Sequence, residues 1–404
     1  MTSGCYVTDP SSLRSSGHGA GAFAPAPNYQ LAGGGLRIRK QRVWLPYIVA
    51  AVYLGGVLGW EQPLWGFEYR SGRELARGEA SIVDPLPLDA VFTNPAAVPE
   101  QEFHSFDLQL AVNENMQALN KTITAFRRHN GDVPAQIDIL DSVFNKPLFG
   151  ELDLSWVTIL PKDFAFMLLS QSSFSGLISG KVLPYVDTNL QQKLSFLASL
   201  RHFFPEAGLS LGLTLKPSYL LSNQVDADLL AVAEQGATLF SMRKAGREGV
   251  GVGIDMGVRW QRSLTTGKVS LGATLRNIGD LQYHHRRVLA SNALAGPTVE
   301  PSLALLGAGW SWFTNLPVLE KIDTFYAYEP GVTRGLSPHR LGVSVPISRY
   351  GQVSLGKYRD SLSGGLGIQL EGFTVHCTVY REPLGDEGAP AYDKRLLVQM
   401  GYIF

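Results

Sequence analysis

The feature that most constrains this chain is a strict alternation of apolar and polar residues. From Val250 to Trp260 every even position is apolar, and every odd position is Gly, Asp or Arg. The same pattern recurs in four further stretches, 209–216, 269–276, 341–347 and 373–379. A β-strand places successive side chains on opposite faces, so each stretch predicts a strand with one apolar and one polar face. The alternation therefore predicts an all-β fold.

Composition excludes two other classes of protein. Lys plus Arg and Asp plus Glu both number 35 among 404 residues, so the formal net charge is zero and a nucleic-acid partner is not expected. The mean hydropathy of +0.02 is too low for a bundle of membrane-spanning helices. The 43 glycines and the charged fraction of 17% suit strands with one apolar face.

Over residues 103–404, the alternation and the turn signals between stretches predict an even number of strands. Most are about 9–12 residues long, the length that a tilted strand needs to cross a bilayer. The 14 predicted strands are 103–112, 149–160, 163–171, 190–203, 207–218, 248–261, 267–279, 301–313, 320–329, 337–348, 350–358, 363–370, 372–381 and 394–404.

The connections between these strands separate by length. With both termini on one side, the connections on that side are short, namely 161–162, 204–206, 262–266, 314–319, 349 and 371. Those on the other side are mostly long, namely 113–148, 172–189, 219–247, 280–300, 330–336 and 382–393. A soluble sandwich also alternates, but short turns on one side with long loops on the other are typical of outer-membrane barrels. We therefore expect a transmembrane antiparallel β-barrel of about 14 strands, surrounded by the outer-membrane lipid of a Gram-negative (diderm) bacterium.

The N-terminal region has the anatomy of an export signal. Residues 1–35 are rich in Gly, Ser, Ala and Pro, which predicts a disordered leader or a start codon assigned too far upstream. A basic stretch, Arg37–Arg42, precedes an apolar run that ends near Gly59. This order predicts a signal peptide over 36–59. A single membrane anchor is the alternative, although about 17 apolar residues are short for spanning a bilayer.

One segment ahead of the first strand carries a family resemblance. Asp89–Ala96 reads D-A-V-F-T-N-P-A and resembles the "D-A-x-x-x-N-P-A" segment of FadL-type long-chain fatty-acid transporters. PorV-type secretion components and TraF-like outer-membrane proteins contain similar segments. Gly253–Gly257 together with Leu275–Gly279 resembles a second short motif of that superfamily. At the level of pattern, the resemblance covers residues 81–404.

The resemblance implies a lumenal hatch formed by residues 60–102 inside a barrel formed by residues 103–404. A hydrophobic ligand would be captured by the outer loops, held in an interior pocket, and released sideways through the wall when the hatch moves. The expected gate residues are Leu88, Phe92, Asn94, Pro95 and Ala96, with the bend at the Asn-Pro-Ala step. The alternative is an ordinary segment that precedes the barrel and has no gating role.

The longest outer loop predicts a capture surface. Met116, Leu119, Ile123 and Phe126 share one face of a helix, and Pro134 opens a second amphipathic helix. Two such helices in an extracellular loop would offer a groove for a lipid-like ligand. The alternative is that the two apolar faces pack on each other and on the barrel rim. A shorter apolar run in 225–234 is open to the same two interpretations.

The last strand ends in an aromatic residue. Tyr402 and Phe404 lie on one face, and they resemble the signal that the barrel-assembly machinery reads. Gly401 lies closer to the end than in the usual pattern.

Signals for catalysis or metal binding are weak. Gly208–Gly212 matches Gly-x-Ser-x-Gly, but Ser210 lies in an alternating strand rather than at a strand–turn–helix elbow. His284 and His285 have no nearby carboxylate or thiol, so no metal site, catalytic residue or cofactor is expected. Five charged or titratable residues share the predicted lumenal phase and predict a structural charge network: Lys216, Asp255, Arg259, Arg276 and His376.

The sequence thus predicts passive, hatch-gated uptake of a hydrophobic, fatty-acid-like compound, and it predicts no enzyme. The expected partners are that small molecule or lipid and, during biogenesis, the barrel-assembly machinery. A non-transporting barrel that scaffolds a secretion or conjugation apparatus is the alternative, with a secretion-apparatus protein as partner. An outer-membrane enzyme is the third possibility, and the absence of a Ser/His/Asp set on adjacent strands argues against it.

Overall fold

A computed structural model places fourteen long strands in one sheet. The described residues are 69–116, 144–161, 163–179, 185–228, 241–288, 297, 299–314, 316, 319–331, 336–347, 350–384 and 391–404. The strands are β1 Phe103–Asn113, β2 Leu148–Leu160, β3 Phe164–Ser179, β4 Tyr185–Phe204, β5 Leu209–Asp228, β6 Arg247–Leu264, β7 Gly267–Arg276, β8 Leu303–Phe313, β9 Lys321–Tyr328, β10 His339–Ile347, β11 Gly351–Tyr358, β12 Ser361–Leu370, β13 Phe373–Leu384 and β14 Ala391–Ile403.

The sheet closes on itself. Each long strand pairs antiparallel with the next in sequence, and β14 pairs with β1 from Ser105 opposite Ile403 to Asn113 opposite Arg395. A two-residue strand, His284–His285, adds a short pairing beside β6. Closure removes the free edges that would otherwise recruit other strands. The predicted antiparallel barrel of 14 long strands is confirmed.

The two faces of the wall carry opposite chemistry. On β6 the outward-facing side chains Val252 and Met256 are 59% and 51% exposed, whereas the inward-facing Asp255 is only 1% exposed. The same division holds around the described wall, with large apolar side chains outside and polar ones buried inside. A soluble sandwich would bury its apolar face, so this inside-out arrangement is that of a barrel whose solvent is lipid.

The two ends of the barrel differ. At one end, the turn end, the strands are joined by the short connections 161–163, 205–208, 265–266, 314–320, 348–350 and 371–372. The other end, the loop end, carries the long connections, but 180–184 and 359–360 there are also short. The predicted long loop 172–189 is therefore wrong, whereas the turn 359–360 lies within the connection 359–362 that the predicted strands leave.

Three strands extend further than predicted toward the loop end. β3 runs to Ser179, β4 begins at Tyr185, and β5 continues to Asp228, so the predicted start of a loop at position 219 is wrong. These added stretches are rich in Ser, Gln and Asn, because strand residues that need not contact lipid can lose the apolar alternation.

The described helices are few and short. They are α1 Gly72–Ala76, α2 Ala90–Thr93, a 3-10 turn at Pro95–Ala97 and α3 Met242–Ala245. Among the described residues, none of the helices is long and apolar enough to cross a membrane. The predicted leader, signal peptide and loop helices over 117–143 and 229–234 lie outside the described residues.

Candidate functional site

Residues 69–98 lie inside the barrel, and we call them the lumenal segment. Nearly all of them are buried, and α1 contacts the last four strands while the 3-10 turn contacts β4, β5 and β6. Two side-chain caps fix its path. Ser71 Oγ accepts from the Arg73 N–H at the start of α1. Asn94 Oδ1 accepts from the Ala96 N–H, and its Nδ2 donates to the Ile82 carbonyl, so the side chain joins two distant parts of the segment.

The main chain of the segment lies directly on glycines of the wall. Gly212 of β5 and Gly257 of β6 are cross-strand partners, and a Cβ on either would overlap Asn94, Pro95 or Ala96. Any larger residue at these two wall positions would displace the Asn-Pro-Ala bend.

A second pair of glycines lies under the other end of the segment. Gly342 of β10 faces Gly356 of β11, and a Cβ on either would overlap the backbone of Arg77 and Gly78. The segment therefore contacts opposite parts of the wall by backbone-to-backbone packing.

A buried ion cluster holds the middle of the segment. The Arg73 guanidinium pairs with Asp89 at 2.9 Å and with Asp107 of β1 at 3.0 Å. All three side chains are at most 3% exposed. Burial lowers the pKa of Arg73, but the two carboxylates raise it more, so its net shift is upward and the guanidinium stays charged. The cluster joins the segment to the wall.

A second ion network joins the segment to the loop end. Glu79 pairs with Arg340 of β10 at 2.6 Å and with Arg70 at 3.3 Å. Arg70 also donates to Tyr358 Oη at 2.9 Å, and the guanidiniums of Arg70, Arg340 and Arg359 each lie about 5 Å from the Tyr358 ring centre. Such stacking is favourable when the cations are partly desolvated.

One side of the lumenal wall is apolar. This apolar patch comprises Val157, Ile159, Ala165, Met167, Leu169 and Leu197 of β2, β3 and β4. Val157 faces Met167, and Met167 faces Leu197, so three of its members form a row across the three strands. The segment covers the patch with Tyr69, Ala90, Val91, Phe92, Ala97 and Val98.

The ladder between β4 and β5 is interrupted where that row ends. Ser195 pairs with Ser218, and Ala198 pairs with Leu215, but the two positions between them on each strand make no ladder pair. The register on either side places Leu197 opposite Lys216, with Pro217 next to it. Proline has no N–H to donate, and it is normally found at edges or bulges of a sheet. The wall is therefore locally less tightly bonded beside the apolar patch.

A cavity lies between the segment and the wall. Its volume is about 20 Å³, room for about one water molecule. Its lining combines charged, hydroxyl and apolar groups from Tyr69, Arg70, Ser71, Glu74, Glu79, Ile82, Phe92, Thr93, Arg276 and Arg340. Glu74 and Thr93 are each 3% exposed, and Glu74 Oε1 and Thr93 Oγ1 have no hydrogen-bond partner. Unpaired buried polar atoms are costly, so they mark this cavity as a site where polar ligand atoms or water are needed.

The structure brings the predicted gate residues together within the segment. Leu88, Phe92, Asn94 and Ala96 are at most 9% exposed, and Pro95 is buried beside them. Phe92 makes an edge-to-face contact with Tyr69, with ring centres 4.5 Å apart. Their role as a gate stays a prediction.

The predicted capture residues are only partly described. Met116 lies at the loop end, where its Cε is 3.6 Å from the position a Cβ would take on Gly150. Leu119, Ile123 and Phe126 lie outside the described residues. Phe404 and Tyr402 lie on the outer surface at the turn end, and their rings stack with centres 6.0 Å apart. Their recognition by the assembly machinery stays a prediction.

The predicted lumenal charges are confirmed to face inward, but they do not form one network. Lys216 pairs with Asp255 at 3.2 Å. Arg259 lies 4.0 Å from Asp84 of the segment. Arg276 donates to the Thr93 carbonyl at 3.3 Å. No group of three or more potential metal ligands occurs among the described residues.

The charged residues that hold the lumenal segment in place were not predicted from the sequence. Arg73, Glu74 and Glu79 lie in the segment, and their charge in a stretch predicted to enter the barrel was the one available signal. The wall partners gave no signal, because Arg340 and Glu79 are 261 positions apart and come together only through the register of the closed sheet.

The closed wall, with its apolar outer surface and polar lumen, defines a transmembrane β-barrel. Among solved structures, the chain is similar to the TodX deltaS2S3 mutant monoaromatic hydrocarbon channel, with a TM-score of 0.51, 11% identity and coverage of 83% of this chain and 99% of that one. It is also similar to the CymD monoaromatic hydrocarbon channel, with a TM-score of 0.46, 14% identity and coverage of 85% and 98%. No protein-family model and no curated protein matches the chain.

At this level of identity the likeness shows the fold, a transmembrane antiparallel β-barrel of the kind found in outer membranes. The PorV-type and TraF-like parts of the resemblance stay predictions.

Proposed function

We propose that this barrel carries a small hydrophobic compound passively across the outer membrane, and that the lumenal segment gates the passage. The observation that carries the proposal is the apolar patch on the lumenal wall, covered by residues 90–98. A polar lumen needs no apolar wall, so a patch that becomes accessible only when the segment moves suits a hydrophobic ligand. The solved channels of similar fold are named for monoaromatic hydrocarbons, which supports this class of ligand.

The exit that we propose is the interrupted ladder between β4 and β5. A hydrophobic molecule on the row Val157–Met167–Leu197 would reach the wall where Leu197 has no ladder pair on β5. Passing sideways into lipid at that point avoids the water beyond the turn end, which an apolar compound enters unfavourably. No energy source is needed, because the compound moves down its concentration gradient.

A disulfide staple across the interruption tests this route. Leu197→Cys with Lys216→Cys, in a background with Cys377→Ser, places two thiols opposite each other across the two strands. The measurement is the initial uptake rate of radiolabelled toluene and oleate by a Gram-negative host that expresses the chain. We expect oxidation to reduce uptake and reduction to restore it in the same variant.

The matched control is a staple across an intact part of the same ladder. Ser199 and Thr214 are paired, and their hydroxyl oxygens are 2.6 Å apart. Ser199→Cys with Thr214→Cys should therefore leave uptake unchanged on oxidation. Equal loss of uptake with both staples, or no loss with either, would refute exit between β4 and β5.

The proposed capture by the outer loop has its own test. Leu119→Asp and Phe126→Asp place a charge on the predicted apolar helix face, so they should raise the external concentration needed for half-maximal uptake without lowering the amount of protein in the membrane. A scaffolding role has no observation of its own among the described residues. It would be favoured if no hydrophobic compound were taken up and a protein partner co-purified with the barrel.

A further inference from the structure

The connection between β7 and β8 folds back over the inside of the wall at the loop end. Its two described arms, residues 277–285 and 299–302, are joined where Leu281 and Glu300 exchange both of their backbone hydrogen bonds, at 2.8 and 3.0 Å. We call these two arms the strap. Its side chains Leu281, Tyr283 and Glu300 are at most 7% exposed, whereas connecting segments normally run over the surface. The strap is therefore packed against the interior of the barrel.

One row of wall residues lies beneath the strap. The row consists of Lys193 on β4, Leu220 on β5 and Gly249 on β6, which are direct cross-strand partners. On β4, Lys193 shares the inner face with Leu197 and lies four residues nearer the loop end, which corresponds to about 13 Å along the strand. The row therefore lies between the loop end and the apolar patch.

The strap crosses this row from β6 toward β4. Leu281 and Tyr283 pack on Leu220 in one buried apolar cluster. A Cβ on Gly249 would lie only 3.0 Å from the Cβ of Tyr283, and one on Gly251 would lie 2.8 Å from Leu281 Cδ1. Glycine at these two wall positions gives the strap room to lie close against the inner face.

A buried ion pair fastens the strap to β4. Glu300 Oε1 accepts from Lys193 Nζ at 2.6 Å and from Tyr283 Oη at 2.6 Å, and we call these three side chains the latch. The side chains of Lys193 and Glu300 are only 5% and 9% exposed. In such a pair, the cost of removing both charges from water offsets most of their attraction. Because opening rehydrates both charges, the latch holds the strap with little net free energy and permits it to open.

The base of the strap is fastened through backbone groups. Ser302 Oγ donates to the Asn277 carbonyl at 2.6 Å, and the Ser302 N–H donates to Asp280 Oδ1 at 2.7 Å. The Asn277 N–H donates to Asp255 of β6 at 2.8 Å. None of these bonds involves the latch, so the base stays attached to the wall when the latch breaks.

We propose that the strap is a gate at the loop end of the lumen, which the latch holds closed over the apolar patch. The inference goes beyond the proposed function, because it assigns a second closure that residues 69–98 do not form and that acts on any solute entering from the loop end.

Access of a thiol reagent to the wall below the strap tests the gate. Ser195 lies on the inner face of β4, between Lys193 and Leu197, and is 1% exposed. Ser195→Cys, with the natural cysteines Cys5 and Cys377 replaced by Ser, supplies a single thiol. The measurement is the rate at which a membrane-impermeant maleimide, added outside intact cells, modifies this thiol. We expect slow modification while the latch is intact.

Two variants of the latch should open the strap. Glu300→Gln removes the carboxylate that pairs with the buried Lys193 ammonium, so it should accelerate modification at least about tenfold. Tyr283→Phe removes one hydrogen bond and keeps the ion pair, so it should accelerate modification less, and it reports on the latch if Glu300→Gln does not fold. The matched control is Asp393→Asn, which breaks a buried ion pair with Arg395 at 2.8 Å on β14 rather than on β4–β6. It should leave the rate unchanged.

Every contrary result overturns the inference. Rapid modification with an intact latch would show that the strap leaves the lumen open. A rate that neither Glu300→Gln nor Tyr283→Phe increases would show that the latch does not hold a gate. Equal acceleration by Asp393→Asn would show that any broken ion pair loosens the barrel, and it would overturn the role of the latch. None of these results depends on the uptake of toluene, which decides the proposed function separately.

Discussion

The buried ion cluster around Arg73 should decide how firmly the lumenal segment is held. In the Arg73→Gln variant, Asp89 and Asp107 would lose a partner that lies 2.9 and 3.0 Å away, in a site where neither carboxylate is more than 2% exposed. Removing one partner of a buried ion pair typically costs about 3–5 kcal/mol. Because the cluster joins the segment to the wall, we expect this loss to appear in the opening of the segment rather than in the barrel.

Hydrogen exchange followed by mass spectrometry measures that opening directly. A loss of about 3–5 kcal/mol corresponds to amide exchange faster by roughly two to four orders of magnitude. The increase should be confined to peptides from residues 72–98, while peptides from β1 and β14 keep their protection. The segment's backbone amides are informative because many of them bond within the segment, such as Thr93 N–H to the Asp89 carbonyl at 2.9 Å.

A surface ion pair provides the control for this experiment. Lys357 and Asp360 are 40% and 37% exposed and pair at 3.9 Å, so Lys357→Gln should change exchange by less than about 1 kcal/mol. A second variant, Arg73→Gln with Asp107→Asn, also removes one of the two carboxylates that Arg73→Gln leaves unpaired, so it should recover part of the protection against exchange. The reasoning would be refuted if Arg73→Gln changed exchange no more than Lys357→Gln, or if the whole barrel lost protection equally.

Three further predictions concern the packing of the lumenal segment on the wall glycines, the pH dependence of its stability, and the assembly of the barrel. Gly212→Ala should displace the Asn-Pro-Ala bend and so raise single-channel ion conductance in planar bilayers. The control is Gly150→Ala, whose Cβ would meet only a methionine methyl at 3.6 Å and which should leave the conductance unchanged. Equal conductance of the two variants would contradict the close packing of the bend on Gly212. Because the folded pKa of Glu74 is about 7 and its ordinary value is 4.5, this group contributes most stability at low pH and loses it as pH rises from 4.5 to 7, by about 3 kcal/mol. Glu74→Gln should therefore slow exchange of residues 72–81 relative to the parent at pH 8 and not at pH 4.5, and a difference of opposite sign would contradict the assignment. Phe404→Ala should lower the fraction of chain that reaches the heat-resistant folded form in outer membranes, measured by gel mobility; an unchanged folded fraction would rule out the assembly role.

The sequence pattern predicted the wall well, because the physical constraint on the wall is local. Lipid on one side and the lumen on the other impose a period of two on every strand, as from Val250 to Trp260, and this period can be read from neighbouring residues alone. The pattern failed only at the loop ends of β3, β4 and β5, where residues 172–179, 185–189 and 219–228 continue the strands without a sustained apolar alternation. Pairing continues there without the lipid constraint.

The site was predicted only in part for a different reason. Asn94 and Pro95 are recognisable from a short motif, and the structure gives the Asn94 side chain a local role that a motif can encode, the cap of the 3-10 turn. The position of that turn against the wall depends on Gly212 and Gly257, which are brought face to face by the pairing register of β5 and β6. The residue pattern of one strand cannot show which of its glycines contacts the lumenal segment, because that depends on how strands distant in sequence align.

The glycine pairs also determine how wide the pore would be once the lumenal segment has left. At Gly212 and Gly257, and again at Gly342 and Gly356, no side chain projects from the wall into the space that the segment occupies. The cross-section at these two levels would be bounded there by the peptide backbone itself, so the vacated lumen would be locally as wide as the strand cylinder permits. Permeability to bulky solutes therefore depends on the wall residues that the lumenal segment covers as much as on the segment itself.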